Sequence, residues 1–399
     1  MENIKWNPYN QSFKENPYTF YDFFREKKPI HRAIGNQWFV SRYEDVKEVL
    51  RNPAFLTVDI GSSIFSKSKF NKASNDFGGI AQNSDFWFMF MNDNLHKEIR
   101  GVVAKHWNDT ILENLVEESI DLVLQDLMPN QEIDFAKTFT ETISAYVMCK
   151  LLGLPFEDKT HLLEVSHTLL QVVEPFNNLY AINHQNDVII AFQAYLTNIV
   201  AAKKLNPAQD LISKLTAFSD FTEQQIVSVT MLLIFTGMES SSYFLSTGFL
   251  HLLENPEEWN KLRSGEVSIT TAIEELIRHV SITKLVFRVA ESDQMIGNTL
   301  IEKNETIILS LESANFDETV FKNPQLMDLS RKPNPHLAFG YGFHACLGAK
   351  LARMEGQMLF SKLAKLPFEF QLIPEKTIKR KNVLIGGVTN LYIKTLGKQ

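Results

Sequence analysis

The sequence predicts a mainly α-helical chain with a small β-sheet component, and three observations lead there. Apolar residues recur at the spacing of one helix face over residues 110–127, 135–152, 188–203, 221–253 and 346–366. Strand-like runs are short and few, near 37–41, 306–311 and 391–395. The apolar run 226–253 is long enough to span a bilayer, which takes about 20 residues, yet it carries Glu239 and three consecutive serines at its middle. A charge there is costly in hydrocarbon. Thr222-x-x-Gln225 just ahead of it reads as a capping box, so a buried helix is expected rather than a membrane span.

The remaining stretches follow in order. Residues 61–83 are rich in Ser, Lys, Asn and Gly and read as a long loop, the kind of segment that often serves as a lid. It runs into the aromatic cluster Phe86-Trp87-Phe88-Met89-Phe90. No internal repeat and no Pro/Gly/Ser-rich linker divides the chain, so residues 1–399 are expected to form one domain.

Composition narrows the function classes. The chain has 40 Lys and Arg against 47 Asp and Glu, and a net charge of −7 argues against a polyanion-binding surface. Nucleic acid is therefore not expected as a partner. With 44% apolar residues, a chain of this length buries a large core without staples. Its two cysteines, Cys149 and Cys346, are too few for a disulfide scaffold and form no CxxC pair. Low cysteine use, and an amino terminus (Met1-Glu2-Asn3-Ile4-Lys5-Trp6) without a basic patch and apolar run, give a cytoplasmic expectation with no membrane anchor. Asn-x-Ser/Thr triplets at Asn10, Asn108 and Asn304 are accordingly read as chance. Phe supplies 30 residues, which points to an interior or pocket rich in rigid apolar rings.

The chemistry centres on Phe339-Gly340-Tyr341-Gly342-Phe343-His344-Ala345-Cys346-Leu347-Gly348, followed by the helical pattern Ala349-Lys350-Leu351-Ala352-Arg353. Cys346 thus sits where a Gly-rich loop meets a helix amino terminus, and peptide N–H groups there stabilise a thiolate. The glycines let the backbone approach a flat ligand closely. Other readings exist: a buried core cysteine is the common fate of an isolated one. Gly340-x-Gly342 lacks the third glycine and the strand–helix–strand unit of a dinucleotide loop, and His344-x-Cys346 lacks a second pair of zinc ligands.

The full string resembles the heme-ligand loop of the cytochrome P450 family, Phe-Gly-x-Gly-x-His-x-Cys-x-Gly, and the resemblance extends from about residue 16 to the carboxyl terminus. It implies the cytochrome P450 fold, with a long central helix over a buried heme b whose iron takes Cys346 as axial thiolate. Cys149 matches nothing in the family and is assigned to the core. Glu275-x-x-Arg278 matches the family's structural Glu-x-x-Arg pair, on one helix face. The Arg that the family usually adds from Pro-x-Arg-Phe is missing from Pro324-Gln325-Leu326-Met327, and Arg331 is the candidate substitute. His96 and Arg100 resemble the family's His-x-x-x-Arg; with Arg288 and His344 they are implied to bind the heme propionates. Thr236-Gly237-Met238-Glu239-Ser240-Ser241 resembles the family's acid–alcohol pair for proton delivery, with Ser240 where Thr is usual. Asn315-Phe316-Asp317 resembles Asn-Arg-Asp with Phe in place of Arg.

The resemblance implies a soluble bacterial-type monooxygenase, an oxidoreductase that inserts one atom of dioxygen into a hydrophobic organic substrate by hydroxylation or epoxidation. It further implies specialised metabolism, a monomer, and electrons from a separate ferredoxin or flavodoxin and its reductase. Lys350, Arg353, Lys97 and Lys105 are candidates for a basic patch toward that donor, with plain solvated lysines as the alternative. By family position Phe86, Phe88, Phe90, Ile234, Phe235, Leu285, Val286 and Ile385 line an apolar pocket for a free or carrier-tethered polyketide, terpenoid or lipid. Two rivals remain: a peroxygenase-type relative, which Glu239-Ser240 argues against, and a non-catalytic heme-binding sensor, which lacks an output domain.

Overall fold

Helices with one apolar face dominate a computed structural model that describes residues 4–58, 78–107, 109–174, 179–218, 220–380 and 382–397. The chain forms two compact units. One is drawn from 1–58, 247–366 and 379–388, the other from 59–246, 367–378 and 389–399. Neither is contiguous in sequence, which explains why no linker composition marks a boundary.

In the first unit a five-stranded sheet takes the order Ile30–Arg32, Trp38–Val40, Thr306–Ser310, Leu285–Ala290, Phe55–Leu56. Trp38 pairs with Ile307 in parallel, and Leu285 pairs with Ser310 in antiparallel register. The predicted strands at 37–41 and 306–311 are therefore neighbours. Alternation sends successive side chains to opposite faces. Phe39, Leu285 and Ile308 pack with Trp6, Phe13, Tyr21 and Phe24 on one face. On the other, Val40, Ile307 and Leu309 pack with Val46 and Val49 of the helix Tyr43–Arg51.

In the second unit Leu112, Val116 and Ile120 of the helix Asp109–Leu124 are buried, as are Ile143, Val147 and Met148 of Glu141–Leu152. Residues 135–152, predicted as one helix, divide into a π-helical turn Ala136–Thr140 and the helix Glu141–Leu152. A three-stranded sheet sets Tyr392–Gly397 between Glu132–Asp134 and Phe368–Leu372.

The run at 221–253 is a 32-residue helix, Glu223–Glu254, and most of it is buried, as expected. Its capping box is present: Gln225 Oε1 accepts from Thr222 N at 2.8 Å, and Thr222 Oγ1 accepts from Gln225 N at 3.3 Å. Within the helix Leu179–Leu205, the span Ala181–Leu205 is also long and apolar enough to cross a membrane, and 22% of its apolar stretch is buried. The sequence reading started this helix too late, at 188.

Most of the loop expected at 61–83 lies outside the described residues. Its end corrects the expectation, because Gly78–Ser84 is helical. There Asn83 Nδ2 donates to Gln193 Oε1 (2.9 Å), and Asn83 Oδ1 accepts from Ser228 Oγ (2.8 Å) and Gln224 Nε2 (3.2 Å). Asn83, in the polar stretch Gln82-Asn83-Ser84, is thus held by side chains of two other helices, information that the local composition does not contain.

Candidate active site

The helix Ile269–Val280 starts at a Ser268 cap, whose hydroxyl accepts from Thr271 N, and ends where Ser281 adopts a left-handed conformation. Within it Glu275 and Arg278, both 0% exposed, make a two-pronged ion pair at 2.8 Å through Arg278 Nε and Nη2. Glu275 also accepts from Arg331 Nε (3.0 Å), Asn334 Nδ2 (3.1 Å) and Asp328 N (3.0 Å). Arg331 does stand beside Glu275, where the missing arginine was sought, and Leu326 points outward at 64% exposure. Arg331 is further tied to the Lys322 and Leu326 carbonyls.

The Phe316 departure also becomes readable. Its ring lies 5.1 Å from the Arg278 guanidinium carbon and 4.5 Å from the Tyr18 ring, so an aromatic face meets the cation. Its neighbours carry hydrogen bonds: Asn315 Oδ1 accepts from Leu337 N (2.7 Å), and Asp317 Oδ2 accepts from Tyr43 N (2.9 Å).

From Phe339 the chain enters the cysteine loop. Gly340 and Gly342 have φ of +68° and +74°, a region that disfavours a side chain. A Cβ on Gly342 would also lie 2.8 Å from the Leu50 carbonyl oxygen, so the loop sits tight against the helix Tyr43–Arg51. Cys346 N donates to Phe339 O at 2.8 Å, and the Cys346 side chain is exposed, which sets aside the buried-core reading. The following helix begins at Ala349, three residues later than the sequence pattern suggested. Cys149 is buried and burial pushes its thiol up to about 12, as befits packing.

Behind the loop lies a cluster that sequence reasoning missed. Glu274 accepts from Arg353 Nε at 2.6 Å and lies 3.1 Å from His336 Nε2, while the Arg353 guanidinium stacks 4.8 Å from the Phe339 ring. Together Arg353 and His336 hold the Glu274 carboxyl down at about 2, against the opposing effect of burial. Arg353 is therefore engaged internally and leaves the basic patch proposed from sequence; Lys350 remains exposed.

Arg288 is buried on the strand Leu285–Ala290, and burial lowers it to about 10. Among the described residues its guanidinium has one bond, from Nη1 to the Phe287 carbonyl, and no carboxylate. His344 closes the short helical turn Gly342–His344 and is half-buried. Leu285 is taken up by core packing on one sheet face and Val286 packs against the core on the other, while Ile385 is buried beside Thr283.

In the second unit His96 is buried and Arg100 half-buried, one turn apart on the helix Asn94–His106. Burial lowers His96 to about 4, helped by the Arg100 charge. Phe88 lies at a ring distance of 6.3 Å from His96; Phe86 and Phe90 are half-buried. Trp87, absent from the sequence-based set, is fully buried and packs 5.1 Å from Phe235; Ile234 is buried too. Gly237 packs closely on Met148: a Cβ there would lie 2.5 Å from Met148 Sδ, so that side chain would have to shift. Ser240 Oγ donates back to the Thr236 carbonyl. The buried Glu239 carboxylate lies 3.8 Å from His167 Nδ1.

A model of the cytochrome P450 family matches residues 268–392, the segment that contains Glu275, Arg278, Arg288, His344 and Cys346. Over this segment the chain is similar to the cytochrome P450 family. Two bacterial P450s, both from Bacillus subtilis, bear this out. The polyketide biosynthesis cytochrome P450 PksS is 29% identical, over 98% of this chain and 99% of its own length. The biotin biosynthesis cytochrome P450 is 29% identical, over 89% and 90%. Among solved structures, P450BioI in complex with hexadec-9Z-enoic acid ligated acyl carrier protein has a TM-score of 0.89 at 27% identity, covering 96% of this chain and 100% of that one. The P450 fold is thus shown, and with it an oxidoreductase of the monooxygenase kind in a heme-thiolate family.

Proposed function

We propose that the chain, with residues 1–399 acting as one domain, inserts one oxygen atom into a hydrophobic acyl or polyketide chain presented on a carrier protein. The observation that carries the heme reading is Arg288: a buried guanidinium bonded only to the Phe287 carbonyl among the described residues fits an anionic ligand group. The donor set of the first unit suits heme b: Cys346 would hold the iron as a thiolate, and Arg288 and His344 would serve the propionates. When bound, the heme supplies dioxygen activation. The chain's own residues do the rest. Glu239 holds and releases a proton, and Ser240, once turned from the Thr236 carbonyl, passes it on. The apolar side chains of Phe88, Ile234 and Phe235 exclude water from an oily substrate. Electrons from a separate ferredoxin or flavodoxin and a cytoplasmic location complete the proposal, consistent with bacterial relatives.

The carrier reading is supported by a relative named for polyketide biosynthesis and a neighbour solved with an acyl carrier protein. The reduced protein under carbon monoxide should show the red-shifted band of a thiolate-ligated heme, and Cys346→Ser should lose it; a variant that keeps the band overturns the ligand assignment. An acyl chain on a carrier should then shift the heme spectrum at lower concentration than the matching free acid. Equal response to both would turn the reading toward a free substrate.

A further inference from the structure

Glu239 is held inside the second unit by the 32-residue helix, with its side chain 8% exposed. Buried carboxylates ordinarily gather several donors. Among the described residues this one has a single polar partner, His167 on the helix Lys159–Val173, and Nδ1 stands 3.8 Å from Oε2. That is beyond a direct hydrogen bond and within reach of one bridging water or a small turn of the ring. His167 is 46% exposed, so the pair connects solvent to an interior acid.

The surrounding charges leave His167 in that role. Burial raises the carboxyl of Glu141, at the start of the helix Glu141–Leu152, and the Glu239 charge adds to that. The adjacent cation, Lys137, is engaged by Glu141 at 2.5 Å. Glu164 lies one turn before His167 on the exposed side of its helix. Among the described residues no Lys or Arg is paired with Glu239. A guanidinium or ammonium would fix the acid permanently, whereas an imidazole can both donate and accept a proton.

We infer that His167 is the port through which solvent protons reach Glu239, a positioning and relay residue that extends the proton path from the buried acid to the surface. The inference rests on the reading of Glu239 as a proton donor. In the step itself an imidazolium N–H bond breaks as a carboxylate O–H bond forms, and the neutral imidazole regains its proton from water. Nothing is oxidised or reduced.

Three variants of the heme-loaded enzyme test it: His167→Gln, His167→Arg and Glu239→Gln. Each should bind substrate with a spectral response within about twofold of the parent. His167→Gln should lower product formed per reducing equivalent about tenfold, less than the roughly 10²–10⁴ of a group acting directly, because water partly replaces a relay residue. His167→Arg, which keeps the charge but holds its proton, should do the same. Combining His167→Gln with Glu239→Gln should be no worse than Glu239→Gln alone. A normal His167→Gln beside a damaged Glu239→Gln overturns the port and leaves the acid in place. A normal His167→Arg reduces the contact to charge pairing and also overturns it. If Glu239→Gln is itself normal, the reading beneath fails first. A readout independent of turnover is infrared: the carboxyl band that Glu239→Gln removes should exchange with deuterium about tenfold more slowly in His167→Gln. An unchanged exchange rate overturns the port.

Discussion

Two buried glutamates, Glu275 and Glu239, are treated in opposite ways. Glu275 accepts from two guanidinium groups, one side-chain amide and one backbone N–H, and is completely enclosed. Glu239 has one titratable partner at 3.8 Å. Saturating a buried carboxylate fixes its charge and its geometry at once, because every lone pair has a donor. A carboxylate left with a loose imidazole can change both. The first arrangement suits a permanent brace, the second a group that must gain and lose a proton.

The strongest way to break this comparison is Glu275→Gln. It strands the Arg278 and Arg331 cations in the interior, and losing one partner of a buried pair costs about 3–5 kcal/mol. Urea unfolding should show that loss together with poor heme retention; a stable, fully loaded variant would mean the saturated network is ornamental. Arg331→Ala should cost less, about 1.5–3 kcal/mol, the range for hydrogen bonds to charged groups. Arg278 keeps its two-pronged hold on Glu275 in that variant, so the melting temperature should fall without abolishing the fold.

A pH measurement sharpens the same contrast within the first unit. His251 and His279 meet Nδ1 to Nδ1 at 3.1 Å, and His279 Nε2 lies 3.2 Å from the Gln325 carbonyl. Burial, then the neighbouring His279, lowers His251 from 6.5 to about 3. A folded value below the unfolded one means the unfolded chain binds more protons. Stability is therefore full above about 6.5 and falls as pH drops toward 3. His251→Gln should flatten that acid limb in melting curves; an unchanged limb would place the sensitivity elsewhere. The smallest effect is expected at Glu239→Gln, whose partner is distant and half-exposed. Its unfolding free energy should change by less than about 1 kcal/mol, while its coupling suffers. A large stability loss would erase the distinction between the two glutamates.

Much of this was legible beforehand for a physical reason: local patterns reveal local structure. The capping box at Thr222 and Gln225, the Glu275–Arg278 spacing and the glycines around Cys346 all act within a few residues, and each stands where its spacing implied. What escaped was long-range. Arg331 could be named as a substitute, but its bond to Glu275 depends on how the segment after Pro324 returns to the helix. Arg353 looked like a surface cation because its helix places it outward; only tertiary packing brings it to Glu274. His167 carries no motif at all. An isolated histidine on a helix gives no sign of the acid that the fold sets beside it.

Arg288 carries one more implication, for how this protein is made. A chain that buries a cation and offers it only a peptide carbonyl among the described residues is incomplete as a set of charges. Under the proposed function the missing anion is imported with the porphyrin, and a ligand that binds only the folded state adds its binding free energy to stability. Translation that outruns porphyrin supply would accumulate the less stable form, the natural target of proteases. Iron and porphyrin availability would then govern the standing amount of this protein, independently of how much message is read.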